Sequence, residues 1–361
     1  MKHRVSVVRT AEDIGRAVRE AVDLLGGMER FAKEGGTYLV KPNLFTARTA
    51  EQGATTDSRI YMTVAEMLKE LGAVPVIGEC PASASYARPD LAFDGLDVKR
   101  ICRESGVEFN VLDREPPVLV EYPDAEVVKE FWFPEFALEC DGVVNVPKLK
   151  THTLTQLTNA IKNLFGLQQG GSKSHHHVRT GNDAEMFSRL LVDLYQCIRP
   201  QVALNVVDAV VAMEGEGPTT GNPVDLGLVI AGEDALAVDM VATKLMGWEP
   251  LGVGTNFIAA ERGLGPTSLD DVEVLGEAIK DVARPFRRPV THSDGQMFID
   301  ARMPIVCDPD VCEGCGICAK VCPGDAIVIA GVPEFRDDRC IQCFCCMELC
   351  PKGALSVVRG G

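Results

Sequence analysis

The C-terminal part of the chain contains eight cysteines in a pattern that repeats after 28 residues. Each copy has the form C-x2-C-x2-C-x3-C-P. The first copy is Cys312, Cys315, Cys318 and Cys322, and the second is Cys340, Cys343, Cys346 and Cys350. Three thiolates at two-residue gaps wrap the backbone tightly around one centre, while the fourth, before a proline, is carried away from it. The repeat therefore predicts two interlocked sets of ligands.

This spacing is typical of bacterial proteins with two iron–sulfur clusters, in which the fourth cysteine of each run ligates the other cluster. It predicts two [4Fe–4S] clusters in a small ferredoxin-like α+β domain. The first cluster would be held by Cys312, Cys315, Cys318 and Cys350, and the second by Cys340, Cys343, Cys346 and Cys322. Two structural zinc sites are the alternative, because four thiolates also suit zinc, but zinc ribbons place two C-x2-C pairs far apart.

Two further cysteines, Cys307 and Cys345, lie outside the repeat. We expect Cys345 to be a small buried side chain, and the alternative is a redox-active thiol beside a cluster. Six acidic residues near the repeat predict low reduction potentials, because negative charge disfavours the more anionic reduced cluster. They are Asp308, Asp310, Glu313, Asp325, Asp337 and Asp338.

The net charge of −16 argues against nucleic acid or an anionic membrane as the main partner, since both need a basic surface. No run of 18 apolar residues is present, which argues against a membrane span. Clustered cysteines in a reducing compartment are more often metal ligands than disulfides. The first residues lack the long apolar core of a signal peptide. Together with the lack of a membrane span, this predicts a cytoplasmic protein.

The first 280 or so residues alternate strand-like and helix-like segments. This alternation predicts an α/β domain with a mainly parallel sheet. We expect that domain to cover residues 1–281, a basic, proline-containing linker to cover 282–302 and the cluster domain to cover 303–361.

Polar side chains follow three of the predicted strands, and open α/β sheets bind ligands outside the carboxyl ends of their strands. These residues are Lys41 and Asn43 after one strand, Lys148, Lys150 and His152 after another, and Asp208 after a third. The pattern predicts a positive pocket for an anionic substrate, and solvated loops are the alternative. We expect Lys41, Asn43, Lys148, Lys162 and Asp208 to bind substrate, and Lys150 and His152 to be catalytic.

Other motifs in this region are less specific. Residues 155–166 have a helical pattern that ends at a glycine, and His175, His176 and His177 follow in a segment that is expected to be a mobile polar loop. One of these histidines could bind substrate or transfer a proton. The acidic, glycine-rich segment 213–221 either lines the site or is a structural loop. Neither a P-loop nor a Rossmann fingerprint is present.

Taken together, the segments K-P-N at 41–43, P-K-L-K-T-H at 147–152 and K-N-L-F-G at 162–166, with Asp208 and E-G-E-G-P at 214–218, resemble the family called domain of unknown function 362. Many members of that family carry a C-terminal two-cluster ferredoxin domain. The resemblance implies an iron–sulfur cluster-binding protein and supplies no catalytic residues.

Three functions follow as hypotheses. The first is an oxidoreductase, whose clusters relay low-potential electrons to or from an anionic small molecule or cofactor in the α/β domain. The second is a ferredoxin-type electron carrier that docks on a partner enzyme. The third is a redox sensor whose cluster state alters partner binding.

Overall fold

The computed structural model describes residues 2–81, 89–93, 95–181, 183–299 and 302–358. The strands are β1 (His3–Arg9), β2 (Thr37–Pro42), β3 (Val74–Glu79), β4 (Glu108–Val111), β5 (Pro117–Glu121), β6 (Glu130–Pro134), β7 (Gly142–Val146), β8 (Lys148–His152), β9 (Gln156–Thr158), β10 (Val202–Glu214), β11 (Asn222–Gly232), β12 (Val272–Gly276), β13 (Ile305–Cys307), β14 (Ile327–Ala330), β15 (Val332–Phe335) and β16 (Leu355–Val357). The helices are α1 (Ile14–Asp23), α2 (Ser58–Glu70), α3 (Val98–Glu104), α4 (Glu135–Glu139), α5 (Ala160–Asn163), α6 (Ser172–Thr180), α7 (Ala184–Ile198), α8 (Ala235–Leu245), α9 (Gly254–Glu261), α10 (Ile279–Val282), α11 (Ile317–Lys320) and α12 (Cys345–Glu348).

Ten of these strands form one sheet in the order β12-β1-β11-β10-β7-β2-β3-β4, and β8 joins β10 and β9 beside that path. The strand pairs from β10 through β7, β2 and β3 to β4 are parallel, whereas β11 is antiparallel to both of its neighbours. The prediction of an α/β domain with a mainly parallel sheet is therefore confirmed.

Apolar side chains on the two faces of the sheet build two cores. Along β2, Leu39 belongs to one core and Val40 to the other, because successive strand residues point to opposite faces. Helices α1, α2 and α3 cover the Val40 face, and α5, α7, α8 and α9 cover the Leu39 face. Both faces are thus closed to water, as a parallel sheet requires.

Two sequence-based assignments near the carboxyl edge of the sheet were wrong. Strand β10 does not end at Asp208 but continues to Glu214, past an irregularity between Ala209 and Val211. Residues 155–166 are not one helix, because Gln156–Thr158 pairs with β8 as strand β9 before α5 begins. In both places tertiary strand pairing overrides the local pattern.

The three consecutive histidines also differ from expectation. They lie in helix α6 rather than in a mobile loop, and the side chains of His176 and His177 are buried. Phe187 stacks on the ring of His177 with 4.4 Å between ring centroids. Aromatic packing from α7 therefore orders this polar segment.

The C-terminal part repeats one small unit, in which each three-cysteine loop leads into a one-turn helix, α11 or α12. Buried Phe344, just before α12, and buried Met347, within it, belong to the same apolar core as helices α7 and α8. The hydroxyl of Thr219 in the glycine-rich segment donates to the carbonyl oxygen of Met347 at 3.3 Å. The second cysteine unit therefore packs against the α/β part.

The described part of the predicted linker, residues 282–299, runs back along the α/β part. The amide of Phe286 donates to the Met246 carbonyl at 2.9 Å, and the indole of Trp248 donates to the Phe286 carbonyl at 3.0 Å. The domain boundaries at 281 and 302 stay predictions. No helix in the described ranges is long and apolar enough to cross a membrane.

Candidate functional site

A cavity of about 90 Å³ lies where the carboxyl ends of β2 and β3, the strand β8 and helices α5 and α6 meet helix α12. Its ionisable lining consists of Lys41, Glu79, Cys80, Lys150, Lys162, Lys173, His177, Cys345 and Glu348. At about 30 Å³ per water, this volume corresponds to about three waters or a small molecule.

Lys41 is fully buried at the end of β2 and forms an ion pair with Glu79 at the end of β3. Its Nζ lies 2.9 Å from Oε1 of Glu79 and donates to the Pro42 carbonyl at 3.0 Å. The other Glu79 oxygen accepts the amide of Leu44. Burial lowers the pKa of Lys41, and the charge of Glu79 opposes that shift. This pair fixes two adjacent strand ends as one wall of the cavity.

Lys150 on β8 has no carboxylate within ion-pair distance among the described residues. Its Nζ donates to Oδ1 of Asn43 at 2.9 Å and to the Ala54 carbonyl at 2.5 Å, and it lies 4.0 Å from the ring centroid of Phe45. Burial and the nearby charge of Lys162 hold the pKa of Lys150 well below its usual value. An amine in this environment gives up its proton more readily than an exposed lysine does.

A ladder of buried amides positions Asn43 for this contact. Asn43 donates to Oδ1 of Asn163 at 2.9 Å, Asn163 donates to Oδ1 of Asn145 at 2.8 Å, and Asn145 donates to Asn205 at 2.9 Å. The ladder ties helix α5 to strands β7 and β10 and to the segment that follows β2. Lys162 on α5 is thereby held at the cavity, where burial lowers its pKa and Glu348 opposes the shift.

Lys148 and Asp208 do not line this cavity. Both are fully buried, and Nζ of Lys148 lies 2.8 Å from Oδ2 of Asp208. The same carboxylate accepts the amide of Asp57 at 2.7 Å, and Asp57 caps helix α2. The geometry thus gives this pair a structural role, fixing the start of α2 against β8 and β10.

His152 connects the two parts of the chain. Its Nδ1 accepts the amide of Leu154 at 3.0 Å, which assigns the ring proton to Nε2. Nε2 lies 3.0 Å from Oε1 of Glu348 in helix α12. Burial, with the charge of Lys162, lowers the pKa of His152 to about 4. Burial raises the pKa of Glu348, but the contact with His152 outweighs it and brings the value to about 2. A neutral imidazole therefore faces a carboxylate at neutral pH.

The cysteines of the first predicted cluster line a small cavity of their own, within the cluster part. Cys312, Cys315, Cys318 and Cys350 line it together with both glycines of the first loop. The amide of Gly314 donates to Sγ of Cys312 at 3.4 Å, and that of Ala354 donates to Sγ of Cys350 at 3.3 Å. These donors and the shared cavity fit a cluster whose fourth ligand comes from the second copy.

The surroundings of Cys322 fit the predicted exchange of the fourth cysteine in the second set. Burial and the charges of Cys343 and Cys322 raise the pKa of the Cys340 thiol, so Cys322 lies in electrostatic range of the second set. The amide of Ala326 donates to Sγ of Cys322 at 3.2 Å. In the described ranges, no three His, Cys, Asp or Glu side chains converge as a site for a single metal ion. A [4Fe–4S] cluster binds its four cysteines through four separate irons. Its ligands need not converge on one ion, and the two cysteine sets stay predictions.

The two cysteines outside the repeat differ in their surroundings. Cys345 is buried, as expected, but it also lines the cavity formed by Lys41, Lys150, Lys162 and Lys173, which we call the lysine cavity. A role for its thiol stays a prediction. Cys307 is half-buried, and burial together with Cys312 raises its pKa to about 11.

Sequence reasoning placed Lys41, Asn43, Lys150 and Lys162 at the cavity and missed Glu79, Lys173 and Glu348. His177, which also lines the cavity, is one of the three histidines of which one was expected to bind substrate or transfer a proton. Lys173 donates to the carbonyl of Cys80 at 2.5 Å. The spacing of Lys173 and His177, four residues apart, was an available signal, because such residues share one helix face. Nothing local to Glu79 or Glu348 indicated their partners.

Comparison with known proteins agrees with the motif resemblance. A family model described as domain of unknown function (DUF362) matches residues 39–244, and a 4Fe-4S dicluster domain matches residues 311–354. The thylakoid-associated protein sll1697 of Synechocystis sp. is 30% identical over 280 residues, covering 75% of this chain and 83% of that protein. A component of the Na(+)-translocating ferredoxin:NAD(+) oxidoreductase complex of Acetobacterium woodii is 45% identical over 49 residues, which is 13% of this chain and 15% of that protein.

A solved structure, the lactate racemase apoprotein of Thermoanaerobacterium thermosaccharolyticum, aligns with a TM-score of 0.41 at 10% identity. The alignment covers 65% of this chain and 55% of that one.

Proposed function

Because the chain belongs to the DUF362 family and carries a 4Fe-4S dicluster domain, we propose that it is an iron–sulfur oxidoreductase. Two [4Fe–4S] clusters would supply single low-potential electrons to, or withdraw them from, a small anion bound in the lysine cavity. The observation that carries the proposal is the make-up of that cavity. Lysines of the α/β part form one wall, and Cys345 and Glu348 form the other, within two residues of the predicted ligand Cys346.

The charge of the cavity supports an anionic ligand. Four lysines and two glutamates line it, and Lys41 is already balanced by Glu79. Among the described residues, no carboxylate lies within 4.0 Å of the amine of Lys150, Lys162 or Lys173, which leaves a local positive excess. A carboxylate or phosphate group would supply the missing negative charge and accept their N–H bonds.

Specific roles follow for the lining residues. Lys162 and Lys173 would hold the anion, and Asn43 would orient Lys150. The lowered pKa of Lys150 suits it to exchange a proton with the bound molecule when its electron count changes. Lys148 and Asp208 would support the cavity wall without contacting the ligand.

The two cysteine sets differ in exposure to solvent, and this difference suggests a route for electrons through the dicluster part. Cys315 of the first set is exposed, whereas Cys343 and Cys346 of the second set are buried beside the cavity. A redox partner protein would therefore exchange electrons at the first cluster, and the second cluster would face the bound anion. The cytoplasmic location stays a prediction.

The test uses anaerobically purified protein. Denaturation followed by mass spectrometry should release a stoichiometric small anion together with about eight irons per chain. Lys162→Gln should reduce the retained anion at least several-fold and leave the iron content unchanged. Exposed Lys280→Gln on α10 is the control and should retain both.

Two outcomes would contradict the oxidoreductase. Iron at full content, with no released ligand and no binding of small carboxylates or phosphates by calorimetry, would favour a ferredoxin-type carrier whose α/β part docks on a partner enzyme. Zinc in place of iron would remove the redox function altogether.

A further inference from the structure

An arginine of the α/β part, Arg48, reaches into the cluster part and has no role in the proposed function. It lies in the segment between β2 and α2, which also supplies Asn43 to the amine of Lys150. Its guanidinium packs against Gly353, three residues after the predicted ligand Cys350, and a Cβ built on that glycine would collide with Nη2 of the arginine. One short segment therefore contacts both the lysine cavity and the loop that carries the fourth ligand of the first cluster.

The internal repeat shows why a glycine stands at position 353. Its counterpart 28 residues earlier is Asp325, and both residues have a positive φ, +67° for Gly353 and +49° for Asp325. The next residue in each copy, Ala326 or Ala354, donates its amide to the sulfur of the fourth cysteine of that copy, so the two backbones correspond. The turn therefore accepts a residue with a side chain. What distinguishes the second copy is the guanidinium that occupies the space beside its glycine.

Arg48 carries a charge that no carboxylate balances in the described part of the chain. No Asp or Glu there lies within ion-pair distance of its guanidinium, and its buried Nε has no hydrogen-bond partner. Burial lowers the pKa of Arg48, and the charge of Cys350 opposes that shift. Arginine stays protonated at neutral pH in spite of such a shift. It therefore presents an uncompensated positive charge to the fourth ligand of the first set.

The second cysteine set has different charges beside it. Glu348, whose side chain is only 13% exposed, shares the one-turn helix α12 with the predicted ligand Cys346. Arg302 donates to the carbonyl of Cys340 at 3.0 Å, but this arginine is exposed, so water and salt screen its charge. The less screened charge is thus positive beside the first set and negative beside the second.

Reduction makes a cluster more negative, so a nearby cation favours the reduced form. From the placement of Arg48 against the loop of Cys350, we infer that this arginine raises the reduction potential of the first cluster above that of the second. An electron in the dicluster part then rests at the first cluster, beside exposed Cys315, where a partner protein would collect it. This order of potentials favours withdrawal of electrons from the bound anion. The inference rests on the two clusters of the proposed function and does not depend on the anion.

The test is a redox titration of the anaerobically purified, cluster-loaded protein, followed by electron paramagnetic resonance. The parent should show two midpoint potentials. Arg48→Gln should lower the higher one, so that the reduced-to-oxidised ratio at the parent's midpoint falls at least about threefold. Arg48→Lys keeps the charge and should retain most of the parent's potential. Exposed Arg16→Gln on α1 makes the same change in net charge as Arg48→Gln and should leave both potentials unchanged.

Gly353→Asn tests the same contact from the cluster part. Asparagine tolerates a positive φ, but its side chain would displace the guanidinium, so the variant should lower the same potential. Iron counting should give about eight irons in each protein, which separates a shifted cluster from a lost one. If Arg48→Gln loses iron, Arg48→Lys and Gly353→Asn decide the question.

Three outcomes at full iron content would overturn the inference. They are one shared potential in the parent, unchanged potentials in both Arg48→Gln and Gly353→Asn, and a shift confined to the lower potential. Each of these leaves the anion site of the proposed function standing. A protein that binds no anion but shows the Arg48-dependent shift would contradict the proposed function and support this inference. Zinc in place of iron would overturn both.

Discussion

Acidification to pH 5.5 should destabilise the protein in part through His292. This side chain is fully buried, and its Nδ1 lies 2.9 Å from Oγ1 of Thr291. The Thr291 hydroxyl donates to the Thr153 carbonyl, so Nδ1 donates to Thr291 and Nε2 is a lone pair with no partner among the described residues. Burial, with the charges of His152 and Arg288, lowers the pKa of His292 to about 3.

An unfolded histidine has a pKa of about 6.5, so between pH 6.5 and 3 only the unfolded chain takes up this proton. The contribution of His292 to stability is therefore complete above pH 6.5 and is lost as the pH falls. Between pH 7.5 and 5.5 the loss is about 1.4 kcal/mol, at 1.36 kcal/mol per unit below pH 6.5. With an unfolding entropy of about 2.1 cal/mol/K per residue, this loss corresponds to about 2 °C for the whole chain.

Scanning calorimetry of His292→Asn under anaerobic conditions measures this contribution. Asparagine keeps an N–H donor for Thr291 but does not titrate. Acid effects on the clusters and on the other buried histidines act on both proteins and cancel in the comparison. Between pH 7.5 and 5.5, the variant should lose about 2 °C less in Tm than the parent, and exposed His175→Gln should lose as much as the parent. Equal losses in parent and His292→Asn would show that His292 accepts its proton in the folded state, which refutes the argument.

Three further predictions concern the buried ion pair and the cluster part. Lys148→Met should lower the free energy of unfolding by about 3–5 kcal/mol, because it leaves the buried Asp208 carboxylate without its cation. In denaturant unfolding, the double variant Lys148→Met with Asp208→Asn should recover most of this loss. Equal stability of the single and double variants would contradict the buried-charge argument. Cys350→Ser should reduce the iron content from about eight to about four per chain, whereas Cys197→Ser, far from the repeat, should keep about eight; full iron in Cys350→Ser would rule out the exchanged fourth ligand. Glu348→Gln should raise a cluster reduction potential by an amount on the order of tens of millivolts in protein-film voltammetry, because it removes a negative charge between two predicted ligands. Exposed Glu334→Gln on β15 is the control. An unchanged potential in Glu348→Gln would show that the charge of this carboxylate does not act on the clusters.

The parts of the site that could be predicted from the sequence are those set by short-range spacing or by strand ends. Lys41 lies at the carboxyl end of β2, and Lys150 lies on β8 just after the carboxyl end of β7. Parallel strands bring such positions to one edge of the sheet. Lys148 has the same sequence context as Lys150, yet it lies in an ion pair instead of the cavity. Two residues along a strand point to the same face, so local pattern could not separate these two lysines. The difference arises because the pairing of β10 with β8 sets Asp208 opposite Lys148 and Met213 opposite Lys150.

The sequence by itself determined the two cysteine sets, since ligand spacing within each loop is a local property of the backbone. It also determined the α/β class, because strand and helix periodicities are local. Only the tertiary structure decided which charges are compensated. Glu79 neutralises Lys41, Glu348 crosses from the cluster part to His152, and helix α6 turns only His177 of its three histidines toward the lysine cavity. The physical reason is that charge pairing and cavity lining depend on contacts between residues far apart along the chain, and no local periodicity encodes those contacts.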